Sequence, residues 1–137
     1  MAFERVDLSN YAIAVAPSRV SMDSFGNLRF NKRMMKQSGF MNEIDGTLLS
    51  TYGEFFYDSH KRKVKVVGST AESKESFKFG LKYDDPEKTQ VRCIDIPLKK
   101  MLLSFGMKPP DKGSVTLNFE IADYQAVIVE LLKLERR

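Results

Sequence analysis

The sequence contains one cysteine and one histidine, and this scarcity excludes several kinds of site. With a single thiol, Cys93, the 137-residue chain cannot form an internal disulfide. Such chains are typical of reducing compartments, so we expect a cytoplasmic location. One histidine, His60, cannot supply the histidine cluster of a zinc site. Cys93 lies in an apolar strand and has no general base as partner to activate it, so we expect a buried, inert thiol.

Long apolar runs and phosphate-binding motifs are also missing. No stretch approaches the roughly 18–20 apolar residues of a membrane helix. The apolar patch Tyr11–Ala16 is too short, and too acidic upstream, for a secretory signal. Neither G-x-x-x-x-G-K-[ST] nor G-x-G-x-x-G occurs. The acidic turn at 84–87 could hold a cation weakly, but a solvated loop is the simpler interpretation. We therefore expect no membrane association, no cofactor, no metal and no enzymatic activity.

Positive charge is in excess and is concentrated in the first half of the chain. There are 22 lysines and arginines against 18 aspartates and glutamates, a net charge of +4. Between Arg19 and Lys36 five bases accompany one acid, Asp23, and a second basic cluster covers 61–65. Such an excess permits a polyanion as partner, because cations neutralise phosphates. The alternative is an ordinary solvated surface.

The stretch Val20–Phe40 predicts a hairpin followed by a short helix. Arg19–Met22 alternates polar and apolar residues, as a half-buried strand does. Asp23–Gly26 has the chemistry of a tight turn, since Asp can bond its own backbone and Gly tolerates positive φ. Asn31 is a good N-cap for a helix ending at Ser38, and Gly39 stops it.

A similar order of elements returns at Val91–Met107. There Pro97 is expected at the start of a helix, where its missing N–H costs nothing, and Gly106 is expected to end it. Gly106 follows Gly39 by 67 positions, and Ile94–Ile96 follows the apolar strand 28–30 by 66. Further strands are predicted at Tyr11–Val15, Thr47–Tyr52, Phe55–Tyr57 (after a bulge at Gly53-Glu54), Lys63–Val67, Phe77–Tyr83, Val115–Ile121 and Ala126–Leu132.

A repeat at half the chain length indicates two units. The predicted units are 1–68 and 77–137, and the small polar stretch 69–76 is the predicted linker. The alternative is coincidence, because any α+β chain can show an apolar strand, a helix and a glycine twice.

The stretch Val20–Phe40 resembles the swapped-hairpin DNA-binding unit of the AbrB/SpoVT family. That pattern is a strand, Asp-x-x-Gly-Arg, an apolar strand, Ile-Pro, a short amphipathic helix, Gly and a β-hairpin. Asp23–Gly26 matches the turn, Leu28 and Phe30 match the apolar strand, and Gly39 matches the helix stop.

The second half matches other portions of the same pattern. Ile94–Pro97 fits the Ile-Pro portion, and 106–112 fits its Gly-Leu-Lys-Pro-Gly-Asp portion. Two units in one chain resemble the MraZ arrangement. The resemblance implies an α+β fold: a small swapped-hairpin β-barrel with short flanking helices, in which two tandem AbrB-like units form an intrachain pseudo-dimer.

The sequence departs from the family pattern at three places. Asn27 stands where the family has arginine after the turn glycine, and Asn31 replaces the proline of the first unit. The second unit has the longer loop Asp84–Thr89 in place of the turn, with Arg92 near the position of the glycine. We therefore expect the first unit to present the basic surface and the second to complete the barrel.

The resemblance implies a transcriptional regulator, bacterial or carried by a mobile element, that binds double-stranded DNA. Arginine and lysine would contact phosphates, and arginine can also fork onto guanine. The alternative is an antitoxin-like or assembly protein that uses the fold to bind a protein partner. We expect a monomeric pseudo-dimer or a higher homo-oligomer. The candidate DNA contacts are Arg19, Asn27 (as a base reader), Arg29, Lys32, Arg33, Lys36, Arg92, Lys99 and Lys100.

Overall fold

A computed structural model describes residues 2–5 and 17–136. These residues form a small α+β fold of antiparallel strands in two sheets, with two short helices. The strand predicted at Tyr11–Val15 lies outside the described residues. In chain order the elements are β1 (Val20–Asp23), β2 (Asn27–Asn31), α1 (Lys32–Ser38), β3 (Tyr52–Asp58), β4 (Lys63–Ser69), β5 (Phe77–Lys78), β6 (Gly80–Tyr83), β7 (Val91–Pro97), α2 (Lys99–Ser104), β8 (Ser114–Leu117), β9 (Phe119–Asp123) and β10 (Ala126–Glu130).

The first sheet joins a hairpin from each half of the chain. Its order is β6-β7-β2-β1-β8, so the hairpins β1/β2 and β6/β7 meet through β2 and β7. In that pairing Leu28 lies opposite Ile96, Arg29 opposite Asp95, and Phe30 opposite Ile94. Because side chains alternate along a strand, the apolar members face the core, and Arg29 and Asp95 face outward.

The second sheet has the same plan. Its order is β5-β3-β4-β10-β9, and the hairpins β3/β4 and β9/β10 meet through β4 and β10. Val64 and Val66 of β4 pair with Val129 and Val127 of β10, and all four are fully buried. This face of the second sheet therefore packs against the first sheet's apolar face, and one hydrophobic cluster includes residues from both halves of the chain.

Two bent strands connect the sheets. Only Phe79 separates β5, an edge of the second sheet, from β6, an edge of the first. Likewise only Asn118 separates β9 from β8 at the opposite edges. Phe79 is buried, and its N–H donates to the carbonyl of Thr51 at 3.0 Å. The two sheets are thus joined through the backbone on both sides.

The first helix begins and ends as the sequence predicts. The Asn31 side-chain oxygen accepts a hydrogen bond from the Met34 N–H at 2.9 Å. Gly39, at φ 89°, ends the helix in the left-handed conformation. Because α1 has only seven residues, its stability depends on burial of Met34 and Met35.

The second helix does not begin at the proline. Pro97 is the last residue of β7 and pairs with Asn27. The chain stays extended there because β2 continues opposite, and the next N–H, that of Leu98, donates to the carbonyl of Gly26 at 2.9 Å. The helix starts at Lys99, and Gly106 follows it at φ 78°.

Two predictions around β3 are also wrong. β3 pairs with β4 without a register shift from Tyr52 to Asp58, so there is no bulge at Gly53-Glu54. Glycine is required for another reason: a Cβ at Gly53 would lie 2.6 Å from Cε1 of Phe79. The strand predicted at 47–52 is also wrong, because only Leu48 makes an isolated bridge, to Met41, before β3 starts.

The two predicted units share both sheets. Each contributes one hairpin to the first sheet and one to the second. Ser69 ends β4, and the rest of the predicted linker, 70–76, contains no helix or strand. None of the described helices is long and apolar enough to span a bilayer.

Candidate nucleic-acid interface

The β1–β2 turn is held by the carboxylate of Asp23. Its Oδ1 accepts the N–H of Phe25 at 3.0 Å and the N–H of Asn27 at 2.9 Å. The Gly26 N–H donates to the Asp23 carbonyl at 3.1 Å, and Gly26 has φ 79°. This is a three-residue hairpin loop whose left-handed position requires glycine. The turn is therefore held in one conformation by its own hydrogen bonds.

The predicted base reader, Asn27, is part of this turn. Its Nδ2 donates to Oδ2 of Asp23 at 3.4 Å, and its side chain is half-buried. The amide oxygen of Asn27 has no hydrogen bond to a described residue. Asn27 thus helps to hold the turn, and its amide oxygen can accept a hydrogen bond from a ligand.

Arg29 forms a bidentate ion pair with Asp95 on the outer face of the first sheet. Nε lies 2.7 Å from Oδ1 and Nη2 lies 3.0 Å from Oδ2. The Arg29 side chain is 42% exposed and that of Asp95 is 12% exposed. The hydrogen bond to Asp95 is the main reason that the pKa of Arg29 is raised. Arg29 is therefore largely neutralised where it was expected to face a phosphate.

Two of the three candidate cations of α1 also have acidic partners. Lys32 Nζ lies 2.7 Å from Oδ2 of Asp84, and Arg33 Nη1 lies 3.2 Å from Oε1 of Glu43. Lys36 forms no ion pair with a described carboxylate. Three of the five basic candidates of the first unit, Arg29, Lys32 and Arg33, are thus paired with acids within the protein.

Arg19 lies at the start of β1 and is exposed. Its Nε donates to Oγ1 of Thr116 in the neighbouring strand at 3.3 Å. Its backbone N–H donates to Oδ1 of Asn31 at 3.0 Å, so the N-cap of α1 also holds this end of β1. No carboxylate of a described residue pairs with the Arg19 guanidinium, which remains charged at the surface.

The second-unit candidates Arg92, Lys99 and Lys100 are exposed, and none forms an ion pair with a described carboxylate. The register of β6 and β7 shifts at Arg92, because Lys82 pairs with Cys93 whereas Tyr83 pairs with Val91. Arg92 is thus the extra residue of a β-bulge, which turns it outward.

Lys99 belongs to the second unit but lies against the turn of the first. A Cβ placed on Gly26 would lie 2.6 Å from Cβ of Lys99 and 2.8 Å from its Cα. The start of α2 therefore packs directly on the β1–β2 turn. The structure thus brings Lys99 of the second unit to the turn that Asn27 helps to hold.

Lys88, rather than Arg92, takes the place of the turn glycine in the second unit. The Lys88 N–H donates to the Asp85 carbonyl at 3.2 Å, and Lys88 has φ 59°. The Asp85 carboxylate accepts the N–H groups of Thr89 and Gln90, and the bond to Thr89 corresponds to that between Asp23 and Asn27 in the first turn. The hydroxyl of Thr89 also donates to the Asp85 carboxylate, and these bonds lower the pKa of Asp85. Lysine seldom adopts positive φ, so the sequence did not reveal this second Asp-x-x-x turn.

Sequence reasoning did not mark Phe25 or Lys112 as functional. Phe25 lies in the β1–β2 turn, and Lys112 precedes Gly113, whose carbonyl accepts the Ser24 N–H at 3.1 Å. Phe25 is 75% exposed, and Lys112 is exposed in the loop that leads into β8. The sequence contained one indication for Phe25. A phenylalanine that lies between Asp and Gly in a tight turn has no neighbouring strand or helix to cover it, so it is expected to be exposed.

The residues considered for other chemistry offer no assembled site. Cys93 is buried, and burial raises the pKa of its thiol. Among the described residues, no group of three His, Cys, Asp or Glu side chains could hold a metal. A cavity of about 540 Å³ is lined by Tyr57, Phe105 and Arg62 among others. The guanidinium of Arg62 there donates to the carbonyl of Leu134 at 2.8 Å.

Comparison with known proteins gives no information about the candidate interface. No family model matches the chain. No curated protein and no solved structure matches it either.

Proposed function

We propose that the protein is a DNA-binding regulator of the AbrB type, in which two tandem units form a pseudo-dimer about an approximate two-fold axis between β2 and β7. The observation that supports the two-fold arrangement most directly is the register of these two strands. In the sequence repeat, Leu28 corresponds to Ile94 and Phe30 to Ile96. In the sheet, Leu28 pairs with Ile96 and Phe30 with Ile94. A two-fold axis through the Arg29–Asp95 pair produces this exchange.

Further support comes from the uncompensated cations. Arg19, Arg92, Lys99 and Lys100 are exposed and form no ion pair with a described carboxylate. Phosphate contacts by such residues release counterions and supply affinity that falls with salt. In this proposal the second unit contributes directly to the DNA surface, and the ion pairs of Arg29, Lys32 and Arg33 hold that surface in shape. The same proposal includes a cytoplasmic, non-enzymatic protein.

Fluorescence anisotropy with labelled duplex DNA across a salt series tests the proposal. Wild type should bind at low salt, and affinity should fall steeply as salt rises. The double variant K99E/K100E should bind more weakly, with a salt slope reduced by about 2, one for each lost phosphate contact.

The matched control is K65E/K78E, which reverses two exposed lysines of the second sheet. It changes net charge equally but should leave the salt slope near the wild-type value. Absence of binding at low salt, or equal losses in both double variants, would refute the proposal.

A second function, binding of a protein partner, is favoured by the outer face of the second sheet. Phe56, Lys65, Ile128 and Glu120 lie side by side across four strands, and Phe56 is 54% exposed. Protein interfaces have an apolar centre and a polar rim, and on this face the apolar Phe56 and Ile128 have charged neighbours. Partner binding through this face should persist at high salt and be lost in F56S, whereas DNA affinity should not change in that variant.

A further inference from the structure

Phe25 is exposed on a turn that cannot easily move to bury it. The side chain is 75% exposed and takes no part in the hydrophobic core. The backbone beneath it is held by the Asp23 carboxylate, which accepts the N–H of Phe25 and that of Asn27. The turn thus presents an aromatic ring to solvent on a backbone that is held in place, and the ring lies outside the hydrophobic core of the described residues.

Lysines lie on two segments that bond to this turn. On one side, the Leu98 N–H donates to the Gly26 carbonyl at 2.9 Å, which places Lys99 against the turn and Lys100 one residue further along α2. On the other side, the Ser24 N–H donates to the Gly113 carbonyl at 3.1 Å, which brings the adjacent residue Lys112 close. These three lysines are exposed and form no ion pair with a described carboxylate.

The nearby acids are engaged within the protein. The Asp23 carboxylate accepts backbone N–H groups of its own turn, and Asp111 lies 3.9 Å from Nζ of Lys108. The surroundings of Phe25 therefore favour a polyanion that also offers an apolar, planar surface.

The corresponding turn of the second unit carries no aromatic ring. Asp85–Lys88 repeats the hydrogen bond between the first carbonyl and the fourth N–H, so Glu87 occupies the position of Phe25. Lys88 is exposed beside it, Asp84 pairs with Lys32 at 2.7 Å, and the Asp85 carboxylate accepts N–H groups of its own loop. This turn has an exposed acid in place of the ring, so of these two turns only the first offers a polyanion an apolar, planar surface.

We propose that Phe25 inserts between neighbouring base pairs of duplex DNA while Lys99, Lys100 and Lys112 contact the flanking phosphates. This inference rests on the proposed function and identifies how the protein would engage DNA. Apolar side chains that enter the minor groove unstack a base step and kink the duplex. A braced turn suits that role because little ordering is required on binding.

The test uses the full chain and a 20–30-base-pair duplex labelled at both ends. Anisotropy gives affinity, and energy transfer between the labels reports bending. Wild type should bind and bend the duplex. F25A should bind about tenfold more weakly, a loss typical of one stacked base, with an unchanged salt slope and no bend. F25W should retain both binding and bending because it keeps an aromatic ring.

F56A is the matched control, since it removes a comparably exposed phenylalanine from the second sheet. It should leave affinity and bending unchanged, and equal urea midpoints would verify that all variants fold. If wild type binds and bends DNA but F25A does the same, the insertion is refuted and the regulator proposal stands. If wild type binds without bending, the insertion is also refuted. If wild type does not bind duplex DNA at all, both proposals fail.

Discussion

Arg29 and Asp95 face each other at the middle of the β2–β7 pair and share two hydrogen bonds, of 2.7 and 3.0 Å. They are also the corresponding residues of the two sequence repeats. A residue on the proposed two-fold axis of a symmetric dimer would meet its own copy, and two arginines or two aspartates would repel. In the proposed arrangement both units lie in one chain, and this permits unlike charges at the position.

The two members of this ion pair should contribute unequally to stability. R29A leaves the largely buried Asp95 carboxylate without its partner, and the free energy of unfolding should fall by about 2 kcal/mol. D95N leaves Arg29 able to reach water, so its loss should be about 1 kcal/mol or less. Urea denaturation at neutral pH measures both, and a larger loss in D95N would contradict this view.

Gly26 should tolerate substitution less well than Gly106. Both have positive φ, at 79° and 78°, so alanine costs about 1–2 kcal/mol at either position. At Gly26 the new Cβ would also lie 2.8 Å from Cα of Lys99, whereas at Gly106 no atom of a described residue lies within 4 Å. Urea midpoints should therefore fall further for G26A than for G106A. Equal midpoints would show that α2 does not pack on the turn as described.

Asn31 should act as more than a helix cap. Its side-chain oxygen accepts the N–H groups of Met34 and Arg19, and its Nδ2 donates to the carbonyl of Pro17 at 2.9 Å. N31A should therefore cost about 1–2 kcal/mol, at the upper end of N-cap losses.

N31D is the matched variant for this cap, because it keeps both acceptor bonds and loses only the donor. It should retain most of the stability in urea denaturation. Hydrogen exchange at the amide of Arg19 should quicken in N31A and stay slow in N31D. If the Arg19 amide exchanges faster in both variants, the loss of the hydrogen bond from Asn31 to the Pro17 carbonyl is responsible.

Cys93 should react slowly with thiol reagents. Burial raises the pKa of its thiol, so the reactive thiolate is scarcer in the folded protein than in an unfolded chain at the same pH. At pH 8, labelling by an aromatic disulfide should be much slower in buffer than in denaturant, and it should quicken as pH rises. Equal rates in both solvents would show that the thiol is accessible.

Local chemistry made the first hairpin and helix predictable from sequence. The turn at Asp23, the cap by Asn31 on Met34 and the stop at Gly39 depend on residues within a few positions, and the structure confirms all three. The prediction that Pro97 begins a helix was wrong because proline is accepted both at the end of a strand and at the start of a helix. Its true place depends on Asn27, far away in the sequence.

The charge partners could not be predicted from the sequence. Arg29 and Lys32 pair with Asp95 and Asp84, which become neighbours only when the two hairpins associate. The basic stretch 19–36 therefore looks more available for DNA in the sequence than it is in the structure. Lys88 was missed because its positive φ is imposed by the surrounding loop rather than by residue type. The nine DNA contacts stay a prediction.

The bent strands at Phe79 and Asn118 determine how the molecule would respond to force. Each passes from an edge of one sheet to an edge of the other without a loop between them. A kinked duplex bound at the β1–β2 turn would pull on the first sheet. Two continuous backbone segments would then transmit this force to the second sheet. The sheets cannot slide past each other by loosening side-chain packing alone, so the protein should bear such a load as one stiff body.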